Sequence, residues 1–275
     1  MAFLYGTGIA YGVGTGIWID ALAKESDPAI AFVAPAALGA AVPIGLYLWD
    51  YMDEFDRAVP STIATGILLG GVEGIAVSGL QWQLTGNGDA NTWSFRGQTT
   101  AAFLGATVGG VGGYFFGEYL EPDPRSLALI ASAAGWGTIN GVLLGGGAVG
   151  TRHDIGDGAA VWGFAGYNAG IIAAGAVSTV YVPSWKMIKY MWLGDILGTL
   201  ATTPVYLFYI GSSGDNVYHG MIANAAGGLA GLAIAAVLTA NMSDAPGAAS
   251  WVPPFQLAVA PLAHGGASLQ AMGAF

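Results

Sequence analysis

Glycine recurs every fourth residue in one apolar stretch of this chain after another. Gly8, Gly12 and Gly16 form one run, and Gly66, Gly70 and Gly74 a second. Gly105, Gly109, Gly113 and Gly117 form the longest, and Gly137, Gly141 and Gly145 follow it. Residues four apart stack on one face of an α-helix, so each run is a strip without side chains. Backbones of neighbouring helices can approach along such strips, which is how helices associate where lipid removes the usual hydrophobic drive. The expected fold is all-α: a polytopic transmembrane helical bundle of glycine-zipper helices.

The charge content agrees with a membrane. Only 9% of the 275 residues are charged and 54% are hydrophobic, against about 25% charged in a typical soluble domain. The 46 glycines show no Gly-X-Y period, and the mean hydropathy is +0.59, so neither collagen nor a disordered chain fits. A net charge of −10 excludes nucleic acid as a partner and a polybasic lipid anchor. The partners expected are membrane lipid and other membrane protein subunits, or further copies of the chain. Cysteine is absent, which removes disulfides, thiolate metal sites and a cysteine nucleophile. No cofactor motif is present: Gly145-Gly146-Gly147 lacks the Lys and Ser/Thr of a phosphate-binding loop. No cationic stretch or small-residue cleavage site marks the first apolar segment, so a signal peptide is expected to be absent or already removed.

A spanning helix needs roughly 20 apolar residues. Eight segments meet that reading: 2–23, 28–49, 59–83, 98–120, 125–149, 158–182, 186–210 and 217–241. Charge collects between them, at Asp50, Asp53, Glu54, Asp56 and Arg57 and again at Glu118, Glu121, Asp123 and Arg125. Ser26-Asp27-Pro28 and Pro122-Asp123-Pro124 read as helix stops with capped restarts. Tyr47, Trp49, Tyr51, Trp82, Trp93, Trp185, Tyr190 and Trp192 fall near segment ends, where amphipathic rings suit the lipid–water boundary. Pro35, Pro43 and Pro204 interrupt segments. A glycine-rich helix, an acidic turn and an alanine-rich helix at 8–48 recur at 105–145, a shift of three helices that would invert a second unit. We read that likeness as the common look of any two Gly/Ala-rich hairpins. Two regions are expected, a helical bundle over 1–242 and a Pro/Gly/Ala-rich arm over 243–275.

Glu73 and Asp195 lie mid-segment beside glycine. Carboxylates at membrane depth are costly and face a cavity or a partner, so both are candidates to line an ion or substrate path. Asn140, Asn168 and Asn224 are mid-helix too, where interhelical amide hydrogen bonds of about 0.5–2 kcal/mol account for them and a path-lining role is the alternative. Asp215, Tyr218 and His219, and Arg152-His153-Asp154, lack metal-ligand spacing and read as solvated interface residues. Ser78-Gly79 with His219-Gly220 resembles the serine–histidine pair of rhomboid proteases in a few residues only. Ala76 stands where that family has glycine, and the spacing is too long, so no protease and no other enzyme is expected.

The tail holds Pro246, Pro253, Pro254 and Pro261, and His264-Gly265-Gly266 separates two short apolar runs, which suggests a hairpin or an extended arm. Its last ten residues, with Leu269 and Phe275 at even spacing, resemble the C-terminal strand of Gram-negative outer-membrane proteins. Four basic residues (Arg57, Arg125, Lys186, Lys189) face three (Lys24, Arg96, Arg152) across eight spans, so the positive-inside bias is missing. Together these place the chain in an outer rather than an inner membrane. The function expected is that of a structural or assembly component of a membrane complex. A channel or secondary transporter is the alternative.

Overall fold

A computed structural model describes residues 1–25, 27–56, 58–86, 91–149, 155–211, 217–244, 255–261 and 267–273. Eight helices follow one another: α1 (Ala2–Ala23), α2 (Val33–Asp53), α3 (Val59–Thr85), α4 (Phe95–Leu120), α5 (Pro124–Val149), α6 (Ile155–Ser178), α7 (Trp185–Gly211) and α8 (Val217–Thr239). Two strands, β1 (Phe255–Pro261) and β2 (Ala267–Gly273), pair antiparallel with Phe255 opposite Gly273. Six helices, α2, α3 and α5 through α8, are long and apolar enough to cross a membrane. The chain is therefore an integral membrane protein in contact with lipid. All eight expected segments form helices; these six carry the spanning character by length and composition, and α1 and α4 have the length. These two helices lean on each other, with Trp18 stacked on Phe103 at 3.9 Å and Tyr11 hydrogen-bonded to Thr107 at 2.8 Å.

The turns explain where the expected boundaries shift. Asp27 accepts the Ala29 N–H at 2.9 Å and spends residues 28–32 in turns, so α2 starts at Val33, not at 28. Pro35 then falls in the first turn of α2, where its missing N–H is no loss, and it does not interrupt the helix. Asp50 and Asp53 belong to the last turn of α2 rather than to a connection, and the Trp49 indole donates to Asp53 at 2.6 Å across that turn. Lys24, Glu54 and Glu121 close α1, α2 and α4 in the left-handed region, each returning its N–H to the carbonyl four residues back.

Asp123 starts α5. Its carboxylate accepts the Arg125 backbone N–H at 2.8 Å and the guanidinium at 2.9 and 2.8 Å, and the guanidinium holds the carboxyl below the usual carboxylate range. A depressed folded value means the contribution is complete above about pH 4 and is lost as pH falls through the lowered value. The stability gap between the parent and Asp123→Asn should be measurable near neutrality and should close in acid. A gap unchanged by acid in a denaturation series would assign it to the turn's shape, not its charge.

The helices pair as four antiparallel hairpins, α1/α2, α3/α4, α5/α6 and α7/α8. Glycine sits where the two backbones meet. A methyl group on Gly12 would overlap the Leu38 carbonyl, one on Gly70 the Gly105 carbonyl, one on Gly141 the Trp162 carbonyl, and one on Gly198 the Gly227 carbonyl. Four residues earlier, Gly8 faces Leu46, Gly66 faces Gly109, Gly137 faces Gly166 and Gly194 faces Gly231. Gly16, Gly74 and Gly145 continue the first three seams against Pro35, Ala101 and Gly158, and Gly113 and Gly117 extend the second against Thr62. The unit that recurs is thus one hairpin. The stretch 8–48 is such a unit, whereas 105–145 joins α4 to α5, which do not touch, so the three-helix repeat has no structural counterpart.

The hairpins also join one another in a repeated way. Helix α1 touches both α3 and α4, α3 touches both α5 and α6, and α5 touches both α7 and α8. Among the described residues the first and last hairpins make no contact, so the row is open at both ends. The residue before each central glycine marks the joint. Tyr11 reaches Thr107 of α4, the Leu69 carbonyl accepts the Tyr167 hydroxyl of α6 at 2.7 Å, and Asn140 reaches Asp195 of α7 at 2.9 Å. The apolar core lies at these joints, with Leu4 against Val59 and Ile63, and Ile130 and Trp136 grouped with Met187 and Met191.

Candidate functional site

Helix α5 presents Asn140 to α7 because Gly141 beside it is pressed against α6, which turns the preceding side chain toward the next hairpin. The Asn140 amide spends both N–H groups, one on the Asp195 carboxylate at 2.9 Å and one on the Trp136 carbonyl at 3.0 Å. Asn140 and Asp195 are each 2% exposed. The Asn140 Oδ1 and the Trp136 indole N–H are buried with no hydrogen-bond partner among the described residues. One turn beyond Asp195, Thr199 faces the same place, and Gly228 of α8 closes it.

Glu73 of α3 makes a separate pair. Both of its carboxylate oxygens face the Asn168 amide of α6, at 3.1 and 3.2 Å, and that amide also donates to the Phe164 carbonyl at 3.1 Å. Glu73 and Asn168 are only partly buried. Asn224 of α8 accepts the Thr202 hydroxyl at 3.1 Å inside the last hairpin. The five polar candidates therefore form two carboxylate–amide pairs and one hairpin tie. Each pair bridges successive hairpins, and the two pairs do not share a residue.

Two cavities lie at helix ends, one between Trp18, Trp93 and Arg96 and one between Met1, Asp50 and Pro60. Neither includes Glu73 or Asp195. The Ser78 hydroxyl donates to the Gly74 and Gln98 carbonyls at 3.0 and 3.3 Å, and His219 packs on Tyr209; the two stand on α3 and α8, which make no contact with each other. Among the described residues no group of three or more His, Cys, Asp or Glu could hold a metal ion. Arg57, Arg152, His153, Asp154, Asp215, His264 and Phe275 lie outside the described residues.

The sequence reading missed Thr199, Trp136, Tyr167 and Gly228. Thr199 was within reach, since it stands four residues after Asp195 and so on the same helix face. The others come from distant helices and carry no local sign. No family model, no curated protein and no solved structure matches this chain.

Proposed function

We propose that the protein is a structural or assembly component of a larger membrane complex, built from glycine-packed hairpins whose open ends receive other subunits. One observation carries this reading: the joint made three times within the chain is left unmade at its fourth occurrence. Leu197, which precedes the central glycine of α7 as Tyr11, Leu69 and Asn140 precede theirs, is 54% exposed. Tyr190, Leu193, Leu200 and Phe208 extend it into an exposed apolar stripe at helical spacing. The stripe continues the face that elsewhere covers a neighbouring hairpin. At the other end, Val33, Ile44, Tyr47 and Tyr51 of α2 are exposed in the same manner.

A channel or transporter would bring its intramembrane carboxylates to water. Asp195 is enclosed by protein, and the two helix-end cavities lie elsewhere, which favours the assembly reading. The outer-membrane placement rests on the missing positive-inside bias and the C-terminal resemblance, and the helical fold adds nothing to it.

Leu197→Trp separates packing from lipid exposure, because lipid accommodates a larger apolar side chain whereas a close-packed joint does not. We expect the variant to fold and the assembled fraction in a mild detergent extract to fall at least about tenfold, which is about 1.4 kcal/mol of association. Unchanged particle mass would mean that the stripe faces lipid.

A further inference from the structure

We infer that the side-chain oxygens of Asp195, Asn140 and Thr199, which converge on Gly228, bind one monovalent alkali cation. The geometry is a convergence. A methyl group placed on Gly228 would stand 2.7 Å from Thr199 Oγ1, 2.8 Å from Asn140 Oδ1 and 2.9 Å from Asp195 Oδ1. Three side-chain oxygens from two helices therefore converge on one face of Gly228, where the Cβ of any larger residue would crowd all three. The orientation of Asn140 is set by its N–H groups, both of which are spent, so its oxygen is the atom turned toward the Thr199 and Asp195 oxygens. That oxygen has no donor among the described residues, and unsatisfied buried acceptors are rare because they forfeit their hydration.

Charge points the same way. Asp195 is buried at membrane depth, and the ion pairs of the described residues, both made by Arg125, lie elsewhere. A buried carboxylate without a positive partner is strongly disfavoured. One carboxylate matches one charge, whereas calcium takes 6–8 oxygens and magnesium a near-ideal octahedron with retained water. Sulfur and imidazole are absent from the set, which leaves transition metals without their usual ligands. Glu73 shows the contrast: both of its oxygens face the Asn168 amide, and among the described residues no orphaned oxygen stands beside it. The bound ion would tie α5, α7 and α8 together.

The test is thermal unfolding of the detergent-solubilised full chain at fixed pH and ionic strength, with NaCl, KCl or LiCl exchanged for choline chloride. An ion bound only by the folded state should raise the melting temperature by about 3 °C per tenfold increase in its concentration above Kd. Asp195→Asn, nearly the same shape, should abolish that dependence, and Thr199→Val should raise the concentration required by about tenfold or more. If Asp195→Asn does not fold, radioactive sodium retained by the parent and lost from Thr199→Val gives the same answer. The inference falls if the parent responds to no alkali cation, if it responds to acid alone, or if Asp195→Asn keeps the full salt response.

Discussion

Gly109→Leu should separate α3 from α4 and cost roughly 3 kcal/mol or more, a fall of about 6–12 °C in melting temperature. The residue has no room for a side chain, since even a methyl group would overlap the Gly66 carbonyl and approach the Gly70 backbone at 3.0 Å. Backbone cannot yield as a rotamer can, so the whole helix must shift and the seam through Gly105 and Gly113 opens with it. Gly112 supplies the control on the same helix: no atom lies within 4 Å of its added methyl. Gly112→Leu should therefore leave the melting temperature within about 2 °C, by the small scale of surface substitutions. Equal losses from both variants would locate the effect in the helix's own propensity and not in the seam.

Asn140→Leu should cost about 3 kcal/mol, since it strips a hydrogen-bond donor from the buried Asp195 carboxylate. Leucine also removes the tie to the Trp136 carbonyl, but that carbonyl already serves the helix and loses less. Adding Asp195→Asn to Asn140→Leu should recover most of the stability, because the charge is gone. A double variant as unstable as Asn140→Leu alone would show that shape, not charge, is what Asn140 serves. Denaturation of the four proteins in one detergent completes the cycle.

Much of this architecture is readable from spacing alone. Gly66, Gly70 and Gly74 announce both a helix and the face it presses on its neighbour, because four-residue spacing is a local property of the helix. Glu73 and Asp195 draw notice for the cost of a carboxylate in lipid. Other features lie beyond such spacing. Asn140 and Asp195 meet across 55 residues, and Asn168 and Glu73 across 95. Which hairpin lies against which depends on the joint residues before each central glycine, and where α2 begins depends on the Asp27-Pro28 turn, whose Asx bond delays it. The hairpin repeat escaped notice because its intervals are unequal. Gly12 to Gly70 is a shift of 58 residues, Gly70 to Gly141 of 71 and Gly141 to Gly198 of 57. In the last unit Thr202 stands where the third glycine of the others would be, and it hydrogen-bonds Asn224 instead.

The claim that the row of hairpins continues onto another protein is tested most directly at Leu193 and Leu197. The chain has no cysteine, so one introduced at either position carries its only thiol for a spin label, and the unsubstituted parent labelled in parallel gives the background of the other membrane proteins. In native membranes the account predicts that both labels are shielded from membrane-dissolved oxygen and become accessible when the assembly is dispersed in strong detergent. Labels as open to oxygen in the native membrane as at a bulk lipid-facing position would contradict it.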